Sequence, residues 1–258
     1  MLVISERLNG QFRSVGKALD ARDKDKLQEL TKEQVKLGAT MLDVNTGPGR
    51  DDTAGDLVWM IKTIQEVTDT PLCIDTPKMD AMEAALEVVQ GRVLINSTTA
   101  EANKMEKLFP LAAKYNADII ALTLDERGIP NDAPSRGEMA LIMITNAMEH
   151  GLSTENIYLD PLVLPVGAAQ DQGPKVLESL DMFKTLSDPA PKTVVGLSNV
   201  SNNTKQRPLI NRTYLIMLMA HGLDAAICDP YDRELIDAIK TTEILLNKKL
   251  YADDFLKV

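Results

Sequence analysis

The feature that most constrains this chain is an alternation. Eight short apolar runs lie at Leu2–Ser5, Met41–Asn45, Leu72–Asp75, Val93–Asn96, Ile119–Leu124, Ile157–Asp160, Val194–Leu197 and Ala225–Cys228. Longer stretches of helical period separate and follow them, at Lys24–Leu37, Thr53–Val67, Met79–Val89, Lys104–Lys114, Arg136–Glu149, Gly173–Leu186, Leu209–Ala220 and Arg233–Leu246. The short runs are nearly continuous in apolar residues rather than alternating. Strands buried on both faces have that pattern, and parallel sheets covered by helices are buried on both faces. Eight strand-then-helix units in 258 residues match the content of a (β/α)8 TIM barrel. An open doubly wound sheet is the rival, but no Gly-x-Gly-x-x-Gly turn follows any run. No low-complexity linker divides the chain, and Asp188-Pro-Ala-Pro-Lys192 is a short stiff loop, so residues 1–258 are expected to form one domain.

Charge and cysteine content narrow the function classes. The 38 acids exceed the 28 bases by 10, which argues against a general nucleic-acid binder and against docking on anionic lipid. No apolar run approaches the ~20 residues of a membrane span, and the first residues have the look of a core strand rather than a signal, so a cytoplasmic protein is expected. Cys73 and Cys228 are the two cysteines, too few for a disulfide framework or a multi-cysteine zinc site. Both histidines occur before glycine, in Glu149-His150-Gly151 and Ala220-His221-Gly222. Glycine is the usual residue just past a helix end and a cationic histidine favours that end, so both are expected as C-terminal caps and not as bases or ligands.

In a barrel of this type the chemistry sits where the strands end. The polar residues there are Glu6 and Asn9; Asp43 and Asn45; Asp75; Asn96; Asp125; Asp160; Ser198 and Asn199; and Asp229. Any one of them can cap the next helix. Three are surplus to that task. Asp75 precedes Thr76-Pro77, which already offers a cap and a first-turn proline. Asn96 precedes Ser97, Thr98 and Thr99. Asp160 precedes Pro161 and a long loop. Carboxylates and carboxamides offer paired acceptors and donors, which suit a flat heterocycle with amidine-like N–H edges, such as a pterin or a purine. A phosphate would ask instead for a glycine nest or basic residues after the last strands, and Ala225–Pro230 has neither. Without a His-x-His or Asp-x-Asp cluster at these strand ends, no resident metal is expected.

Five phrases in this order, Asp43-Val-Asn-Thr-Gly47, Ile74-Asp-Thr76, Ile95-Asn-Ser97, Leu159-Asp-Pro161 and Gly196-Leu-Ser-Asn199-Val-Ser201, resemble the pterin-binding methyltransferase family. That family includes the folate-binding module of cobalamin-dependent methionine synthase, dihydropteroate synthase and the methyltetrahydrofolate:corrinoid/iron-sulfur protein methyltransferases of the acetyl-CoA (Wood–Ljungdahl) pathway. The last group is most similar in length and motif, and the resemblance covers the whole chain. It implies a TIM barrel with a pterin at the C-terminal face. Asp75, Asn96 and Asp160 would bond the pyrimidine edge and ring nitrogens. Gly196 and Ser198 would frame the pocket floor. Asn199 would reach N5, which carries the methyl group, and Asp160 would feed a proton toward it. Asn202 and Arg207 would line the tail or outer pocket. Methyltetrahydrofolate would be substrate, with no covalently bound cofactor. The corrinoid (cobalamin) would be carried by a partner, a corrinoid/iron-sulfur protein, and the chain would be a homodimer.

Departures within the family also count. Dihydropteroate synthases follow the seventh strand with basic residues serving pyrophosphate. Here Ser198-Asn199-Val200 carries no charge. Methionine synthase adds domains for homocysteine, cobalamin and reactivation. A dihydropteroate-synthase-like pterin transferase and a non-catalytic folate-binding subunit stand as the alternatives.

Overall fold

The computed structural model describes residues 1–251. In chain order the elements are β1 (Leu2–Asn9), α1 (Arg13–Ala21), α2 (Lys24–Lys36), β2 (Met41–Asn45), α3 (Thr53–Gln65), β3 (Leu72–Asp75), α4 (Met79–Val88) and β4 (Val93–Thr99). They continue with α5 (Ala102–Lys114), β5 (Asp118–Leu122), α6 (Ala133–Glu149), β6 (Ile157–Asp160), α7 (Gln172–Phe183), β7 (Lys192–Gly196), α8 (Arg207–Ala220), β8 (Ala225–Cys228) and α9 (Arg233–Leu245). The strands pair in sequence order, all parallel, and β8 closes on β1. The fold is the expected (β/α)8 barrel.

Two layers of packing hold it. Each strand sends alternate side chains to opposite faces. Outward residues such as Leu42, Val44, Ile74, Ile95, Ile119 and Leu159 join one large core with the helices. Inward residues from all eight strands, Ile4, Met41, Cys73, Leu94, Ile120, Tyr158, Val194 and Ala225, form a separate plug inside the barrel. This double burial is why the strands read as continuous apolar runs.

The differences from expectation are one extra helix and several element ends. The helix α1 is an extra one, between β1 and α2; its polar face hid it from an apolar-period reading. Strand β1 runs on to Asn9 because, after a register shift between Ser5 and Leu8, it keeps pairing with β2 as far as Asn45. Strand β4 likewise continues to Thr99 after a shift between Ile95 and Thr98. The segment Leu197–Ser201, expected partly as strand, begins a 3-10 turn instead. Both histidines occupy helix C-cap positions, with Gly151 and Gly222 left-handed just beyond. His221 Nδ1 is 2.7 Å from Asp181.

Candidate active site

Period-two alternation carries the inward face of each strand one step beyond the apolar plug. Two residues after Ile4, Met41, Cys73, Leu94 and Tyr158 stand Glu6, Asp43, Asp75, Asn96 and Asp160. The same step on β5 and β8 gives Leu122 and Ile227, and on β7 gives Gly196. The mouth is therefore a partial ring of carboxyl and carboxamide groups seated directly on a dry apolar floor.

The ring is cross-linked. Asn45 Nδ2 donates to Asp75 Oδ2 at 2.7 Å. Asn96 Nδ2 donates to Asp43 Oδ1 at 3.2 Å, spanning from β4 to β2. Ser198 donates its hydroxyl to Glu6 Oε1 at 2.8 Å. Asp160 Oδ1 accepts the Leu162 N–H at 2.7 Å. Among the described residues, none of these four carboxyls forms an ion pair with a cation. Their acidity follows from that. Burial pushes Asp160 up to about 7, against the Leu162 N–H and the charge of Arg136. Burial, reinforced by Asp75 nearby, pushes Asp43 well above the carboxylate range. Burial also raises Asp75 against the Asn45 bond, and Glu6 against the Ser198 bond. Carboxyls raised by burial in a cleft are suited to proton exchange and to pairing with a ligand's own N–H groups.

Asn199 stands at the rim, exposed, on the turn that follows β7. A side chain at Gly196 would bring its Cβ to 2.9 Å from Asn199 Nδ2, so glycine is what lets the asparagine fold back over the strand end. The turn is held from two sides. Glu6 takes the Ser198 hydroxyl, while Arg207 donates Nε to Ser201 Oγ and Nη2 to the Ser198 carbonyl, both at 3.2 Å. Asn199, Asn202 and Arg207 line one cavity of about 720 Å³ together with Glu6 and Arg7. On the opposite side of the mouth Asp75 and Asn96 line a cavity of about 430 Å³. The structure thus brings the expected residues to one end of the barrel, Asp75, Asn96 and Asp160 in the ring and Gly196, Ser198, Asn199, Asn202 and Arg207 around the turn.

Reading the strand ends one at a time left Glu6, Asp43 and Asn45 outside the expected site set. Their place in it comes from bonds across the barrel. The signal that points to them is parity, since each sits an even number of residues from an inward apolar neighbour. Arg136 is a further surprise. This guanidinium on α6 is fully buried, bonded through Nη2 to Gln172 at 2.8 Å, with Nε and Nη1 left without partners.

A closed parallel barrel whose mouth gathers carboxyl and amide groups, the carboxyls of the ring unpaired with any cation among the described residues, suits a flat heterocycle rich in N–H groups. Residues 6–229 match the family model of pterin binding enzymes, and the chain belongs to that family. It is 32% identical over 248 residues to a methylcorrinoid:tetrahydrofolate methyltransferase from Eubacterium limosum, covering 95% of this chain and 91% of that protein. It is 30% identical over 240 residues to methionine synthase from Mycobacterium leprae, where the match spans 88% of this chain and 20% of the relative's length. Among solved structures, 7,8-dihydropteroate synthase from Vibrio fischeri superposes with a TM-score of 0.69 at 17% identity, covering 96% of this chain and 94% of that one. That likeness speaks for the fold alone.

Proposed function

We propose that this chain moves a methyl group between N5 of methyltetrahydrofolate and the cobalt of a corrinoid carried by a separate protein. The observation that carries the reading is the ring itself: Asp75, Asn96 and Asp160 offer hydrogen-bonding oxygens on a dry floor, which matches the N–H edge of a tetrahydropterin. Similarity along nearly the whole chain to the Eubacterium limosum methyltransferase supports corrinoid as the other substrate. That relative's name runs from corrinoid to folate. The same site serves both directions, since forward and reverse transfer share one transition state. We assign transfer toward Co(I), on a corrinoid/iron-sulfur protein of the acetyl-CoA (Wood–Ljungdahl) pathway.

The chemistry turns on the leaving group. As Co(I) supplies an electron pair to form CH3–Co(III), the C–N5 bond breaks with its electrons on nitrogen. An unprotonated amine anion leaves poorly, so N5 must receive a proton. Asn199 can rotate its amide to accept from N5–H or to donate to the lone pair, and so follows the charge there. Asp160, poised near neutrality, supplies the proton in the transfer to cobalt and takes it back in reverse. The enzyme needs no nucleophile of its own. The uncharged Ser198-Asn199-Val200 turn gives no basic group for a pyrophosphate, which disfavours condensation chemistry.

The corrinoid partner docks on the loops around the open mouth. The chain's own assembly uses the far side of α6 to α8. Leu141, Ile142 and Met148 on α6 and Leu209, Ile216 and Met217 on α8 are exposed, and a largely apolar cavity of about 330 Å³ lies between α7 and α8. A C2 homodimer covers this face. The cytoplasm is the proposed compartment: both cysteines are free and buried, and no described helix is long and apolar enough to cross a membrane.

The test is spectroscopic. A reduced corrinoid/iron-sulfur protein is mixed with methyltetrahydrofolate and catalytic amounts of this chain. Replacement of the Co(I) absorption by that of methyl-Co(III), dependent on the chain, is the expected result. Binding of methyltetrahydrofolate without any turnover would overturn the proposal.

A further inference from the structure

Two residues of β2, Asp43 and Asn45, hold other members of the ring and govern what it shows to a ligand. Asn45 has a single consistent orientation. Its Oδ1 accepts the Gly47 N–H at 2.7 Å, a group that can only donate, so its Nδ2 faces Asp75 Oδ2. Asp75 is thereby gripped by one oxygen and keeps the other for the cavity it lines. Asp43, two residues earlier on the same inward face, takes the amide N–H of Asn96 on Oδ1. Asn96 is thereby turned so that its carbonyl oxygen remains for that same cavity. Asn45 itself lines a different cleft, beside Gly47 and Thr76. Asp43 is 3% exposed and lines neither of the two cavities at the mouth.

We propose that Asp43 and Asn45 are positioning residues that fix how the acceptors of the pterin site are aimed. Asp43 turns the Asn96 amide so that its carbonyl oxygen faces the mouth, and Asn45 holds the Asp75 carboxyl at one angle with an oxygen free for the ligand; together they select a ligand edge built of N–H donors. This rests on the pterin reading above. A tetrahydropterin presents donors at its 2-amino group, N3 and N8. A heterocycle of the same shape whose 2-amino group is replaced by methyl has lost two of these N–H bonds, and the fixed acceptors opposite are left unpaired. With Asp43 or Asn45 changed, Asn96 and Asp75 can turn, and the penalty against the methyl analogue shrinks.

The groups facing Asp43 are Cys73 and Asp75 from β3, Asn96 from β4 and Glu6 from β1. None is cationic, and burial among them keeps its carboxyl protonated more readily than an exposed one. An Asp43→Asn variant therefore retains both shape and the acceptor toward Asn96. Asp43→Ala does not. Asn45→Asp keeps shape and the Gly47 bond but sets an oxygen against Asp75 in place of the N–H.

Binding of 5-methyltetrahydrofolate and of its 2-desamino-2-methyl analogue is measured by calorimetry for the parent and the three variants. The parent is expected to prefer the natural ligand by roughly 10- to 100-fold. Asp43→Asn should retain that preference within about threefold, whereas Asn45→Asp and Asp43→Ala should cut it about fivefold or more. A role in stability alone would lower the melting temperature and leave the ratio of affinities unmoved. Folded Asn45→Asp protein with the parent's preference overturns the proposal, and so does an Asp43→Asn variant that loses it. Should Asp43→Ala not fold, these two shape-matched variants decide. If the parent fails to bind methyltetrahydrofolate at all, the pterin reading falls instead, and the inference with it.

Discussion

Asp160→Asn should stabilise the folded chain, and by an amount that depends on pH in a defined way. Asp160 ends β6 with 6% of its surface exposed and one backbone N–H, from Leu162, as its hydrogen-bond donor. Burial raises its carboxyl from an ordinary 3.8 to about 7. In the unfolded chain it titrates at the ordinary value. The folded-state value is the higher, so its contribution to stability is fully present below about pH 4 and is lost as pH rises to about 7. A shift of about three units corresponds to on the order of 4 kcal/mol. Asparagine cannot ionise, fills the same space and still accepts from Leu162. The variant and the parent should therefore match near pH 4. Their difference should grow by ~1.4 kcal/mol per pH unit and level off at about 4 kcal/mol above neutrality. The assay is urea unfolding of both proteins at half-unit steps from pH 4.5 to 8.5. With a denaturant slope of about 3 kcal/mol/M, the midpoints should separate by just over ~1 M at pH 8. Profiles that stay parallel across this range, or an asparagine variant less stable than the parent at pH 8, would refute the reasoning. Such a result would mean that the carboxylate is well solvated or paired in solution.

Four further outcomes bear on function. Asn199→Ala should cut single-turnover methyl transfer by about 100-fold or more while changing methyltetrahydrofolate affinity only slightly, because a bond that strengthens as charge develops at N5 acts on the rate. Stopped-flow and calorimetry on the same preparation separate the two effects. Asp75→Ala should weaken methyltetrahydrofolate binding by about 1–3 kcal/mol, since it leaves a ligand N–H unpaired; titration at constant pH reads this directly. Methyl transfer to Co(I) should slow as pH rises through about 7, where Asp160 gives up the proton that N5 needs, and the reverse transfer should show the opposite slope. A forward rate unchanged between pH 6 and 8 would remove Asp160 as the donor. Ile216→Glu with Met217→Glu should turn a dimer into a monomer by light scattering, because both side chains lie exposed on α8 in the apolar face assigned to the interface.

The sequence by itself determined the architecture and the end of the barrel at which the polar groups gather. Strands such as Ile119–Ala121, apolar at every position, have no solvent face to offer, so only a sheet covered on both sides accommodates them. Eight of them in alternation with helices leave little but a barrel. Asp75, Asn96 and Asp160 were legible because each breaks such a run at its end where no cap is needed. Element ends were less legible, since β1 and β4 are prolonged by pairing with neighbours that lie far along the chain. What tertiary structure alone decided is which polar groups face one another. Asn96 and Asp43 are 53 residues apart and Ser198 and Glu6 are 192 apart, and nothing local relates them. The acidity of the ring was also beyond the sequence. An aspartate after a strand is an ordinary surface carboxylate until closure of the barrel sets it on an apolar floor, where burial outweighs whatever charges lie near it. Burial depends on the whole ring of strands closing, and the bond from Ser198, after β7, to Glu6, on β1, exists only once β8 has met β1.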